Sequence, residues 1–301
     1  LGWVSVVAIT SSLLVMRNQS AFVGRLQEQF QSVGGLAKVQ GVSMEGITGT
    51  GKGGRVRERD IQALLIDGAP APAGGDTLPI TPVRRTIARN MVTSRQHTVP
   101  VTLTARADAT ALQAARAILK KREGERAATL NDMVLHLLGR SLPRHRLLAA
   151  RWMETHLLFP DDDKIDVGLA VDAPEGLMVP VLKNANEKSI LQLAEEMFKL
   201  SEKARKRTID LADLKGGTFT VTNYGAIRGI FGTPIINHPE VAILGVSRSA
   251  WQPVYRDLAF VPRLMLPLSL SYDHRVIDGA TGARFLQTFK AFVEEPASML
   301  L

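Results

Sequence analysis

The sequence predicts a mixed α/β domain with a small helical unit in front of it, and three observations lead there. Helix-like and strand-like patterns alternate through residues 77–301 without an obvious linker. The stretch GAPAPAGGD at 68–76 is a Pro/Ala/Gly linker that cannot bury a core and tends to be extended. Ahead of it, residues 29–67 form a short unit, glycine-dense and basic, that ends in an apolar helical tail.

Taken in order, residues 1–28 receive no assignment. Leu1 to Met16 is nearly all apolar or small. It is too short and too serine-rich for a membrane span, which needs about 20 apolar residues. With no basic flank before it and no clear cleavage site after it, it reads poorly as a secretory signal. In the large segment, Ala111 to Lys121 and Asp132 to Leu142 read as helices. Ile190 to Lys206 reads as an amphipathic helix made of good helix formers. Lys164 to Val171, Thr218 to Thr222, Val241 to Val246 and Leu264 to Ser271 read as strands. Ala283 to Glu294 reads as a closing helix, and no internal repeat is visible.

Composition narrows the function. With 301 residues and 45% apolar side chains the chain can fill a substantial core. The absence of cysteine excludes disulfides, zinc–thiolate sites and thiol nucleophiles, and fits an intracellular compartment. A net charge of +8 favours anionic partners, phosphorylated cofactors among them. The basic residues are scattered and aromatics are only 5%, which argues against nucleic-acid binding.

Two segments carry chemistry. Thr50 to Val56, TGKGGRV, is not a phosphate loop, because no Lys-Ser/Thr follows Gly54. By residue chemistry alone it is a basic surface turn between two helices. Ser271 to Ala280, SYDHRVIDGA, places His274 four residues before Asp278. Alone, that spacing fits a metal pair, a base with its orienting carboxylate, or a satisfied core histidine, and the metal reading lacks a third ligand nearby.

The longer matches carry more. Leu266 to Ala280 resembles the D-H-R-x-x-D-G-A signature of the acyltransferase catalytic domain of 2-oxo acid dehydrogenase complexes, a fold shared with chloramphenicol acetyltransferase. Gly216 to Val246, Thr81 to Met91 and Lys164 to Lys183 resemble further blocks of that domain, so the likeness runs from about residue 80 to the end. Gly41-Val42, Gly49 to Val56 and Asp60 to Leu65 resemble, in that order, the family's peripheral subunit-binding domain. One departure is Gly34-Gly35, where relatives carry a basic first helix.

The resemblance implies a chloramphenicol-acetyltransferase-like mixed sheet and transfer of an acyl group, acetyl by preference, from a dihydrolipoyl thiol to coenzyme A. Branched-chain or succinyl specificity, or a non-catalytic structural role, are the alternatives. Attack by a thiol of ordinary pKa near 8.5 needs a base. The resemblance gives that role to His274, the ordering of its loop to Asp278, and the oxyanion-stabilising hydroxyl to Thr222. It places the site between subunits of a homotrimer within a larger core. It associates Arg116 and His136 with coenzyme A, His136 standing where relatives have lysine. It assigns Arg55, with Lys52 and Arg57, to docking the decarboxylase and dihydrolipoamide dehydrogenase. The lipoyl group is expected from a domain not present in this chain, and the compartment is the bacterial cytoplasm or the mitochondrial matrix, with no membrane role. The remaining histidines, His97, His145, His156 and His238, read as bland, the first three without partners.

Overall fold

The computed structural model describes residues 49–57, 60, 78–124, 128–161, 164–174 and 176–300. They belong to two compact units, Leu1–Pro79 and Ile80–Leu301.

In the first unit the described part is the glycine-rich loop. Lys52–Gly54 makes a single turn in which Gly53 and Gly54 have φ of 71° and 78°, a region that glycine enters without steric cost. Asp60 pins the loop from inside: its carboxylate accepts from the Thr50 hydroxyl at 2.6 Å, the Thr50 amide at 3.0 Å and the Arg57 amide at 2.8 Å. Gly34-Gly35, Gly41-Val42 and the helix expected after Asp60 lie outside the described residues, as does the linker at 68–76.

The second unit is built on a seven-stranded mixed sheet. Its first helix, α1 (Pro82–Gln96), starts with proline at a position where no amide is needed and is capped by the Thr81 hydroxyl. Strand β1 (Pro100–Asp108) leads to α2 (Thr110–Glu123) and α3 (Leu130–Ser141), the latter opened by a reciprocal Thr129–Asp132 capping box. Short strands follow: β2 (Arg151–Trp152), β3 (Leu157–Leu158), β4 (Val167–Leu169), β5 (Val171–Ala173), β6 (Gly176–Met178) and β7 (Val181–Leu182). Helix α4 (Ile190–Arg205) precedes β8 (Phe219–Asn223), β9 (Ala242–Val246), β10 (Ala250–Arg256) and the long β11 (Ala259–Asp273). Helix α5 (Gly279–Glu294) runs off the end of β11 after a tight turn.

The sheet order is β1-β11-β9-β8-β4-β7, with β10 also paired to β11. Pairs β4–β8 and β8–β9 are parallel and the rest antiparallel. Helix α5 packs on β1 and α3, and α3 packs on α4. Phe219, Leu244, Leu268, Leu270, Phe285 and Phe289 are fully excluded from water in the resulting core. The mixed α/β expectation therefore holds. The strand expected over Lys164 to Val171 is instead split, β4 pairing in the main sheet and β5 in a hairpin with β6.

Candidate active site

His274 stands just past the end of β11, where the chain leaves the sheet for α5. The strand anchors it from both flanks. The amide of Asp273 donates to the Val241 carbonyl at 2.8 Å, and the amide of His274 donates to the Val99 carbonyl at 2.8 Å. The turn then closes on itself, with the Val276 and Ile277 amides donating to the Asp273 carbonyl at 3.0 and 2.9 Å. This leaves the His274 side chain exposed at the end of the strand, 5.9 Å from the Tyr272 ring.

The neighbours of His274 are both charged, and one of them is buried. Asp273 is 1% exposed. Its carboxylate accepts from the Val99 amide at 3.3 Å, the Arg275 amide at 3.1 Å, and Arg275 Nε and Nη2 at 3.0 and 2.6 Å. Burial pushes the Asp273 carboxyl up, but the hydrogen bonds from Arg275 and Val99 more than offset it, and the group is held below the usual carboxylate range. Asp278 does a different job. It caps α5, accepting from the Thr281 amide at 2.6 Å, and that bond with the Thr281 hydroxyl lowers its pKa, with Arg284 and His274 adding to the effect. Asp278 thus fixes where the His274 turn ends and the helix begins.

Thr222 is half-buried near the end of β8. The residue after it, Asn223, bonds Asn131 at the start of α3 at 2.6 Å and accepts from the Gly225 amide at 2.8 Å, so the exit of the strand is fixed. Thr222 pairs with Gly245 on β9, and Gly245 with Ser269 on β11. A Cβ on Gly245 would come 2.6 Å from the Tyr224 hydroxyl, so only glycine fits beneath that ring. His274 lies five residues beyond Ser269. At about 3.3 Å per residue and about 4.8 Å per strand, this puts it roughly 16 Å along and 10 Å across from Thr222. One chain therefore does not bring the two side chains to a common reacting atom.

The other expected site residues fall elsewhere. Arg116 is on α2, its Nε buried and without a hydrogen-bond partner. His136 is on α3, where burial, and then Arg140, lower its pKa, so it is neutral near pH 7. No hydrogen bond or ion pair joins Arg116 to His136 among the described residues. Lys52, Arg55 and Arg57 are all exposed on the glycine loop of the first unit. Three histidines expected to lack partners have them: His97 Nδ1 lies 2.9 Å from the Thr93 carbonyl, His145 Nε2 2.8 Å from the Thr288 hydroxyl, and His156 Nδ1 3.0 Å from the Thr155 hydroxyl. Each partner sits one or four residues away, or on a helix that only the fold brings near.

Sequence reasoning gave no role to Asp273, Arg275 or Glu240, although all three lie inside the matched blocks. Glu240 is sealed under the sheet, where its carboxylate accepts from the Thr220 hydroxyl at 2.6 Å and from Asn237 at 3.1 Å. Burial pushes its pKa up to about 7 against those two bonds and the charge of Arg151. A charged residue next to a strand was the available signal, but nothing in the sequence marks it as buried. No cluster of three or more metal-ligating side chains occurs among the described residues.

Comparison with known proteins gives the family. The model of the 2-oxoacid dehydrogenases acyltransferase catalytic domain matches residues 72–301, and the e3 binding domain model matches residues 32–62. The dihydrolipoyllysine-residue acetyltransferase component of the pyruvate dehydrogenase complex from Staphylococcus aureus is 35% identical over 308 residues, covering 92% of this chain and 71% of that protein. Dihydrolipoamide acetyltransferase from Azotobacter vinelandii, studied for the roles of a serine, a histidine and an asparagine in its catalytic mechanism, superimposes with a TM-score of 0.73 at 38% identity, over 76% of this chain and 95% of that one. The cubic core of the pyruvate dehydrogenase multienzyme complex gives a TM-score of 0.73 at 38% identity, over 77% and 96%.

Proposed function

Because the chain belongs to the 2-oxoacid dehydrogenase acyltransferase family, we propose that it transfers acetyl groups from a dihydrolipoyl thiol to coenzyme A in the core of a pyruvate dehydrogenase complex. The observation that carries this reading is a spacing. The serine, histidine and asparagine studied in the Azotobacter vinelandii relative are separated along its chain as Thr222, His274 and Asp278 are separated here. Threonine keeps the serine hydroxyl, and aspartate caps the helix that follows the histidine turn.

In the reaction His274 takes the proton of the coenzyme A thiol. The thiolate attacks the acyl carbon of the dihydrolipoyl thioester. The tetrahedral oxyanion receives a hydrogen bond from the Thr222 hydroxyl. Collapse breaks the carbon–sulfur bond to the dihydrolipoyl group, whose sulfur recovers the proton from the His274 imidazolium. General base work of this kind supplies about 10²–10⁴-fold. Since Thr222 and His274 lie far apart in one chain, the hydroxyl comes from a neighbouring copy. A trimer with a site at each of its interfaces meets that requirement, and the likeness to a cubic core supports it.

Arg116 is the basic position we assign to the coenzyme phosphates, while His136, neutral in its buried setting, adds no charge there. The match to an e3 binding domain supports docking of dihydrolipoamide dehydrogenase on the first unit, with Arg55, Lys52 and Arg57 supplying positive charge. We extend this to the decarboxylase, which the same basic loop would hold by charge complementarity. Bacterial relatives favour the bacterial cytoplasm, and among the described residues no helix is long and apolar enough to cross a membrane.

The test is acyl transfer from acetyl-, isobutyryl- and succinyl-coenzyme A to free dihydrolipoamide. Acetyl as the best donor, with activity abolished in His274→Ala, is the expected result. A preference for a branched or succinyl donor overturns the acetyl assignment, and no activity with any donor from assembled protein points to a structural component.

A further inference from the structure

We propose that Trp152 is a positioning residue for acyl transfer, acting on His274 through a stacked Arg275. The inference rests on the reading that His274 is the base.

An exposed base at a strand end needs a rigid backbone if its side chain is to keep one orientation. The rigidity comes from the residues on either side of it. The Asp273 carboxylate is buried and is gripped by Arg275 through its amide, Nε and Nη2. The same guanidinium donates to the carbonyl of His97, at the end of α1. Its flat face lies on the indole of Trp152, 4.0 Å from the ring centroid. A guanidinium held by a carboxylate and a carbonyl along its edge and by an indole across its face has little freedom left.

The backbone that carries the indole is itself tied to the segment leading into β9, which pairs with the strand ahead of the histidine. The Trp152 amide donates to the Pro239 carbonyl at 2.7 Å, Arg151 bridges Glu240, and the Val241 carbonyl accepts from the Asp273 amide at 2.8 Å. Trp152 thus closes a ring that runs from Pro239 to Val241, across to Asp273, on to Arg275, and back to the indole. His274 lies between Asp273 and Arg275, the two residues that the ring holds. Without the indole, one face of the guanidinium opens to water and its grip on Asp273 loosens. The backbone on both sides of His274 then moves. Small displacements of a catalytic group of this kind cost up to about 100-fold in rate.

The experiment compares assembled wild-type protein with Trp152→Phe and Trp152→Leu in acetyl transfer from acetyl-coenzyme A to dihydrolipoamide. Trp152→Leu is expected to lower kcat by about 10- to 100-fold, with KM for acetyl-coenzyme A held within about twofold. Trp152→Phe keeps an aromatic face for Arg275 and is expected to restore most of the loss. In an Arg275→Lys background, which already breaks the stack, Trp152→Leu is expected to cost less than about twofold more. Full kcat in Trp152→Leu overturns the inference. So does a loss that phenylalanine does not rescue, or one that persists undiminished beside Arg275→Lys, since either marks a purely structural indole. Wild-type protein with no activity toward any donor removes the proposed function instead.

Discussion

Glu240 is 2% exposed, beneath the sheet, with only two hydrogen-bond donors and the more distant charge of Arg151 to support a negative charge. Burial is the dominant cause of its raised pKa, from 4.5 to about 7. A carboxyl whose folded pKa lies above its unfolded one keeps its proton where the unfolded chain has lost it. Its contribution to stability is full below about pH 4.5 and is lost as pH rises through about 7. At 1.36 kcal/mol per pH unit the whole shift is worth about 3 kcal/mol, most of which falls between pH 5 and pH 8. Glu240→Gln keeps the volume and can still pair with Thr220, but it never ionises. The variant is therefore expected to gain about 2–3 kcal/mol on the wild type between pH 5 and pH 8. Denaturant unfolding at fixed protein concentration measures this, since assembly makes apparent stability concentration-dependent. His136, His145 and His238, whose pKa values burial lowers, give the opposite slope, with stability lost as pH falls below 6.5. They are common to both proteins and cancel in the difference. A difference that stays constant from pH 5 to pH 8 would refute the assignment of a buried, titrating Glu240.

Two further changes probe the site and the docking loop. If the hydroxyl acts on the oxyanion and not on the bound substrate, as proposed, Thr222→Ala lowers kcat by about 10²–10³-fold while leaving KM for coenzyme A nearly unchanged, and Thr222→Ser retains activity. Steady-state kinetics decide this, and a loss confined to KM would remove Thr222 from the oxyanion role. Arg55→Ala, on an exposed loop, is expected to slow association with dihydrolipoamide dehydrogenase and to flatten its dependence on salt. Binding kinetics at low and high salt show it, and an unchanged association rate would clear Arg55 of the docking role.

Much of the fold is legible in the sequence where periodicity and capping agree. Helices α2, α3 and α4 follow the apolar spacing to within two residues at either end, and Ser189 and Thr129 begin their helices with capping boxes. Strands β8 and β9 are continuous apolar or β-branched runs, as a buried parallel pair requires. Strand β1 is harder to see: it lies at the sheet edge, and its half-exposed threonines, Arg106 and leading proline hide the alternation. The hairpin of β10 and β11 exposes Trp251, Tyr255 and Phe260, so it shows no inside face to read. The candidate base and hydroxyl are legible as residues. Their separation is not, because it depends on the register of three strands. Trp152 is equally hidden, being far from His274 in sequence and brought near it by the fold, where its ring meets Arg275.

The central claim is that Thr222 of one copy and His274 of another make one active site. It is tested by mixing two inactive proteins, Thr222→Ala and His274→Ala, unfolding them together and allowing them to reassemble. If each site draws one residue from each of two copies, random reassembly of equal amounts restores roughly a quarter of wild-type activity, because only sites pairing the intact histidine with the intact threonine react. Activity that remains at the level of the single variants, from protein shown to have reassembled, would contradict a shared site and return both residues to a single chain.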